Sequence, residues 1–209
     1  VNFDIDEALS KKIIDMLDGV AKTVDRTTKV MLKTPSCISR MERTGVVSTE
    51  TAQALGAVGM AARSSGVDID TRFDFNDKWY TSLDVVKPFK ATGDVHSRFK
   101  LRYKEIKQSM QIVKKLLDKL KEFRNEQILT NPNKTLAPNA FAISMTEGWR
   151  GEIVHIALTG ATGELLRYKM KDPSFNNWYM LAMAVRNNGV SDFPLCNKSF
   201  NLSYCGNDL

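Results

Sequence analysis

Apolar residues recur every three or four positions along two long stretches of this chain. From about Asp4 to Lys33, Ile5, Leu9, Ile13, Leu17, Val20, Val24 and Met31 fall on one stripe, which predicts an amphipathic helix. Between Arg98 and Lys121, Phe99, Tyr103, Ile106, Met110, Val113, Leu117 and Leu120 alternate spacings of four and three, which predicts a second. Each seam needs a partner, so the two are expected to pack as long antiparallel helices. Pro35 and Ser36 close the first helix and start a short one through Cys37 to Glu42. After Gly45, Ser48 caps a helix rich in alanine and glycine, whose small side chains permit close backbone approach. Asp68 to Thr92 shows little periodicity but holds Phe73, Phe75, Trp79, Tyr80 and Phe89, which predicts an ordered excursion lying on the core.

The pattern changes near the C-terminus. Asn131-Pro132-Asn133-Lys134 and Ala137-Pro138-Asn139 read as a linker. Val154, Ile156 and Leu158 then alternate with Ile153, His155 and Ala157, the period of a strand with one well-buried face. Thr159-Gly160-Ala161-Thr162-Gly163 supplies a turn, and Leu166, Tyr168 and Met170 alternate with Leu165, Arg167 and Lys169 to complete a β-hairpin. Asp172 or Ser174 caps a following helix, with Pro173 tolerated in its first turn; Trp178, Leu181, Met183 and Val185 fill it and Asn188-Gly189 ends it. The expected fold class is α+β and predominantly helical: a long antiparallel helix bundle with a small β-hairpin region near the C-terminus. One domain is expected over residues 1–209, mainly helical in 1–130, with the hairpin and its helix in 131–209.

Composition alters this picture little. The chain has 209 residues, enough for one good core, and its 43% hydrophobic and 9% aromatic content is that of a soluble globular protein. It has no apolar run near the ~20 residues a membrane span requires. Val1-Asn2-Phe3-Asp4 offers no signal-peptide pattern and no initiator methionine, which fits an excised fragment. Cys37, Cys196 and Cys205 are odd in number and lack short metal spacing, favouring a reducing compartment over a disulfide framework. The net charge of +6 and the basic run from Arg98 to Lys121 raise the question of a nucleic-acid partner. That run carries the apolar seam, so its lysines read as the solvated faces of a helix or as contacts to acidic partner subunits.

The candidate chemistry lies in Glu147-Gly148-Trp149-Arg150-Gly151-Glu152, where an arginine and two carboxylates stand at the start of the hairpin. Arg150 needs carboxylate partners if buried, and Glu147 and Glu152 are near in sequence. Upstream stand Thr44-Gly45-Val46-Val47-Ser48, Ala54-Leu55-Gly56-Ala57-Val58-Gly59, and Ala62-Arg63-Ser64-Ser65-Gly66-Val67-Asp68 with Asp70-Thr71-Arg72. Gly93-Asp94-Val95-His96-Ser97-Arg98 follows, with Glu105, Gln108 and Ser109 beyond it. Asp94 and Arg98, four apart at a helix start, are placed to pair. Arg167-Tyr168-Lys169, Asp172-Pro173-Ser174-Phe175 and Asp192-Phe193-Pro194-Leu195 complete the series.

In this order, over most of the chain, these motifs resemble the C-terminal half of the nickel-iron (NiFe) hydrogenase large-subunit superfamily. That superfamily includes the catalytic subunits of membrane-bound, energy-converting hydrogenases and the 49 kDa quinone-site subunit of respiratory complex I. The resemblance implies that Arg150, with Glu147 and Glu152, lines the catalytic cavity as a proton relay. The competing reading is that Arg150 only ties the hairpin to the helices by an ion pair. It also implies that Arg63 approaches a neighbouring subunit's iron-sulfur cluster; an intrachain bridge to Asp68 or Asp70 is the alternative.

A NiFe site takes four thiolates from two CxxC pairs. The first pair lies N-terminal to the matching region, and in the second Ser203 and Gly206 occupy the thiolate positions, with Cys205 one place out of register. The expectation is therefore no metal bound by Cys196 or Cys205, His96 and His155 as structural residues, and H₂ activation lost. The quinone-site histidine and tyrosine of the complex I relatives belong to an N-terminal hairpin outside the matching region. The implied partners are an iron-sulfur small subunit, an accessory electron-input subunit and ion-translocating membrane subunits, on the cytoplasmic side of a membrane. The expected function is redox coupling between the iron-sulfur subunit and a membrane module. The alternatives are a noncatalytic docking subunit and, least favoured, a basic helical nucleic-acid-binding domain.

Overall fold

The computed structural model describes residues 4–75, 80, 82–83, 85–88, 90–123 and 135–205. Trp79, Phe89, the 131–134 part of the expected linker and Gly206 lie outside them.

Local signals set the helix starts. Helix α1 (Glu7–Lys33) begins where the Asp6 carboxylate accepts from the Leu9 amide, and α2 (Pro35–Met41) begins on a proline. Ser48 caps α3 (Thr49–Ala54) by accepting from the Thr51 amide. The alanine- and glycine-rich stretch is not one helix. Gly56 and Gly59 take φ of +62° and +65°, and this break separates α3 from α4 (Gly59–Ser64). A short helix α5 (Thr71–Asp74) follows, capped by Asp70. Asp94 caps the long helix α6 (Val95–Leu120) through the Ser97 amide.

The antiparallel pair is α1 with α6. Asp25 accepts from the Tyr103 hydroxyl at 2.6 Å, and Lys114 reaches Asp18 at 2.5 Å, so rising numbers in one helix meet falling numbers in the other. The core is built elsewhere, around α3, α4, the start of α6 and the C-terminal helices, with Ala52, Ala62, Leu101, Met180, Ala184 and Cys196 fully buried.

The C-terminal region holds a three-stranded antiparallel sheet in the order β1-β2-β3, not a single hairpin: β1 (Phe141–Gly148), β2 (Gly151–Thr159) and β3 (Leu165–Lys171). Glu147-Gly148-Trp149-Arg150-Gly151-Glu152 is the tight turn between β1 and β2, with Gly148 opposite Gly151. The expected well-buried strand face is also corrected: of the alternating residues Val154, Ile156 and Leu158, only Val154 is buried, and Leu158 is 38% exposed. Helix α7 (Ser174–Ala184) follows β3, its first amide donating to the Asp172 carboxylate at 2.7 Å, and α8 (Phe193–Phe200) packs beside α6 and α7. Among the described residues, no helix is long and apolar enough to cross a membrane.

Candidate functional site

The β1–β2 turn is pressed against the start of α4. A Cβ built on Gly59 would fall 2.2 Å from the Gly151 Cα and 2.4 Å from the Arg150 carbonyl oxygen, so two glycine backbones touch where a side chain on either would force them apart. Asn177 of α7 holds the junction. Its side chain accepts from the Val58 amide at 3.1 Å and donates to the carbonyls of Val58 at 3.1 Å and Arg150 at 3.3 Å. Three elements distant in sequence thus meet at one buried amide.

This contact carries Glu147 to Arg63. Arg63 lies on α4, 1% exposed. Its Nη1 donates to Glu147 at 2.8 Å and to the Ile69 carbonyl at 3.1 Å, its Nη2 to Glu105 of α6 at 2.7 Å, and Asp70 stands 3.2 Å from Nη1. Asp70 also accepts from Arg72 through both carboxylate oxygens, at 2.9 and 2.6 Å. The second oxygen of Glu147 accepts from the Thr71 amide and hydroxyl, each at 3.2 Å. A guanidinium out of water is stable only with such partners, because desolvating a charge costs several kcal/mol in effect, on the order of the loss when one member of a buried pair is removed. Of the intrachain bridges expected for Arg63, the one to Asp70 forms, while Asp68 pairs with Lys87 at 3.0 Å.

The cluster separates its carboxyl groups chemically. Burial pushes the Glu147 carboxyl above its ordinary pKa, although Arg63 pulls the other way. Burial also works against the Asp70 charge, but the hydrogen bonds from Arg72 and the charges of Arg63 and Arg72 outweigh it and hold Asp70 below the usual value. Glu147 is thereby disposed to take up a proton under conditions where Asp70 stays ionised. Both Glu147 and Glu105 line a cavity of about 460 Å³, walled by Arg63, Arg72, Tyr80 and Trp149 and by apolar residues of α1 and α6.

Arg150 is placed differently. Its Nε donates to the Asn201 carbonyl, and its guanidinium lies 5.0 Å from the Trp149 ring centroid. Arg102 stacks on the same ring at 5.2 Å and donates to the carbonyls of Ser199 at 2.9 Å and Phe200 at 3.4 Å. Two arginines therefore complement the carbonyl end of α8, where the helix dipole is negative. Of the carboxylates expected beside Arg150, Glu147 bonds Arg63, and Glu152 accepts from Lys171 at 2.7 Å.

Arg98, Asp94 and the two histidines also have contacts within the chain. Arg98 does not bridge Asp94. It donates to the carbonyls of Gly93 at 2.7 Å and Gly45 at 2.9 Å and to the Ser199 hydroxyl at 2.8 Å, and burial lowers its pKa to about 9, leaving it charged at neutral pH. Asp94 instead caps α6 and accepts from the Arg43 amide at 3.1 Å. His96 stands 3.6 Å from Glu42, and His155 Nδ1 contacts the Tyr168 hydroxyl.

The two C-terminal cysteines lie in different surroundings. Cys196 is fully buried, close enough to Gly45 that a Cβ there would meet its Sγ at 2.6 Å. Cys205 is exposed beside Ser203, whose hydroxyl lies 3.6 Å from its sulfur, at the rim of a second cavity between α7 and β3. Among the described residues, no group of three or more His, Cys, Asp or Glu side chains is arranged to hold a metal ion.

The site therefore joins Arg63 to Glu147, as sequence reading did not foresee, and adds Arg72 and Glu105. Sequence proximity gave Asp70 alone; Glu105 and Glu147 lie 42 and 84 residues from Arg63.

Comparison with known proteins agrees with this architecture. A solved structure of the membrane-bound sulfane sulfur reductase, an archaeal respiratory membrane complex, contains a chain that superposes with a TM-score of 0.81 at 20% identity, covering 94% of this chain and 54% of that one. The chain is 31% identical to the membrane-bound hydrogenase subunit alpha of Pyrococcus furiosus, over 92% of this chain and 48% of the relative. It is 27% identical to NADH-quinone oxidoreductase subunit 4 of Thermus thermophilus, over 92% and 53% respectively. The chain spans about half the length of these curated relatives. The family model for the respiratory-chain NADH dehydrogenase 49 Kd subunit matches residues 1–143, and the chain belongs to that family.

Proposed function

We propose that this chain is part of the large subunit of a membrane-associated oxidoreductase of the hydrogenase or complex I kind, coupling electron transfer from an iron-sulfur partner subunit to a membrane module. An accessory electron-input subunit and ion-translocating membrane subunits complete the assembly, which lies on the cytoplasmic side of its membrane. The observation that carries the reading is the Arg63 cluster, in which a carboxyl of raised pKa, Glu147, is buried against a guanidinium at the wall of a cavity. Glu147 faces a cavity beside an opposite charge, and such a neighbour sets the proton affinity of a group that exchanges protons with that cavity. Glu147 holds and releases the proton, Arg63 stabilises its ionised form, and Glu105 offers a second acceptor on the same nitrogen fork. A nickel-iron group is not part of the proposal, since Ser203 stands where a thiolate is required.

The second reading, a noncatalytic docking subunit, is favoured by Arg150, whose bond to the Asn201 carbonyl latches the turn to the end of α8. The complete complex, purified anaerobically and assayed for nickel and for H₂-dependent dye reduction, separates these readings. Absence of nickel in an intact iron-sulfur complex with redox turnover is expected; stoichiometric nickel with H₂ oxidation would overturn the displaced-cysteine reading. Glu147→Gln in that complex is expected to abolish turnover with assembly retained, and full turnover in the variant would leave the docking role.

A further inference from the structure

The sheet exposes one face with an unusual division of chemistry. Register places Phe141 opposite Leu158 and Ile143 opposite Ile156, and on β3 the next positions across are Arg167 beside Leu158 and Lys169 beside Ile156. Residues opposite one another in an antiparallel pair share a face, so two apolar columns run beside one column of cations. Near the bundle this face is occupied by the chain itself: Val154 is buried, Glu147 meets Arg63, and Glu152 meets Lys171. Farther out it is open, with Phe141 64% and Ile143 54% exposed. Among the described residues, neither Arg167 nor Lys169 has an ion-pair partner on this chain, unlike Lys171 in the same column.

We infer that this face is a docking surface for another polypeptide, one presenting apolar side chains to Phe141, Ile143, Ile156 and Leu158 and a row of carboxylates to Arg167 and Lys169. The inference rests on the reading that the chain works within a larger complex. Charge complementarity selects the partner. An apolar surface alone would take any greasy segment, but cations confined to one flank fix both the sign and the orientation of what lies across it. An anionic bilayer would also attract the cations, yet the β2–β3 turn that would enter first carries Glu164, which the Thr162 hydroxyl and amide hold in its ionised form. A firmly charged carboxylate at the leading edge opposes insertion.

The test uses the complete complex. A photocrosslinking residue is placed at position 143 and, separately, at position 169, and the crosslinked peptides are identified by mass spectrometry. Arg167→Glu and Lys169→Glu are combined in a second variant, whose exposed positions leave the fold intact by circular dichroism. The expected result is a crosslink from both positions to one segment of another polypeptide bearing at least two carboxylates. At least tenfold less of that polypeptide should be retained by the double variant, with recovery when its carboxylates are changed to lysine. Crosslinks to lipid, crosslinks back to the same subunit, or unchanged retention in the double variant would each overturn the inference. If the wild-type chain never enters a larger complex, the functional proposal itself fails; if it assembles with positions 143 and 169 uncrosslinked, only the docking surface fails.

Discussion

In the helical part of the molecule, Arg63 and Arg98 are 1% and 0% exposed, and each directs its nitrogens at carboxylate, carbonyl or hydroxyl oxygens of the same chain. In the sheet, Arg167 and Lys169 stand in solvent on the same face as Phe141 and Ile143, one strand away across β2, and those two are themselves more than half exposed. The helical part has already met the cost of burying charge, through partners drawn from segments distant in sequence. The sheet is secured mainly where its first turn touches α4, and its outer half buries little. Charge is structural in the first region and available in the second.

The sharpest way to break that contrast is to remove the buried charge. Arg63→Met leaves Asp70, Glu105 and Glu147 facing one another without their common partner, and unfolding free energy is expected to fall by about 3–5 kcal/mol. Denaturant unfolding of the chain measures it, and a loss under about 1 kcal/mol would show that Arg72 alone suffices to hold the cluster.

Next in size is the junction between the two regions. Gly59→Ala places a methyl 2.2 Å from the Gly151 backbone, at a φ that an alanine tolerates poorly. Overpacking together with the left-handed penalty predicts a loss of about 3 kcal/mol. Amide exchange in β1 and β2 should accelerate more than in α6, because the sheet loses its footing while α6 keeps its contacts with α1 and α8.

How much of this was legible follows from range. Ser48 announces a helix start because a cap needs only the next three residues, and Asp94 was legible as standing at another. The α1–α6 seam was legible through its period. Strand β1 was overlooked although Phe141, Ile143 and Met145 alternate with Ala142, Ser144 and Thr146, because the glycines at 148 and 151 read as the start of a hairpin when they are its first turn. The buried strand face failed for another reason. Alternation reports which side chains share a face, and what covers that face is decided by other segments. Arg150 was assigned carboxylates by sequence proximity, yet Glu147 and Glu152, directly opposite in the register, are better separated than shared, and each goes to its own cation. The Asp94–Arg98 pair failed because an amide and two carbonyls lay closer in space than the neighbour one turn away.

A smaller effect tests the chemistry of the cluster through pH. The folded-state pKa of Glu147 is raised, so its contribution to stability is full below the unfolded value and is lost as pH rises through the folded one. Asp70 has the opposite sign: its contribution is present above the unfolded pKa and disappears as pH falls through the depressed folded value. Glu147→Gln removes the first titration and keeps a group able to accept from Thr71. It is expected to change stability by no more than about 1 kcal/mol. Relative to the wild type, the variant should gain as pH rises from about 4 to about 7, since only the wild type must ionise a buried carboxyl there. A gap that widens in the opposite direction would mean that Arg63 overcomes burial and that Glu147 is an ordinary ion-pair partner.

The smallest expected effect returns to the sheet. Lys171 and Glu152 form a 2.7 Å pair with Lys171 about a third exposed, where screening by water leaves little net attraction. Lys171→Ala is therefore predicted to cost under about 0.5 kcal/mol in the isolated chain. The comparison turns on what the same substitution does in the complete complex. Lys171 continues the column of Lys169 and Arg167, so a carboxylate-bearing partner would add a second claim on that cation and raise the cost of losing it. An effect equally small in both settings would mean that the docking surface, if used, ends before Lys171, where the chain covers its own sheet.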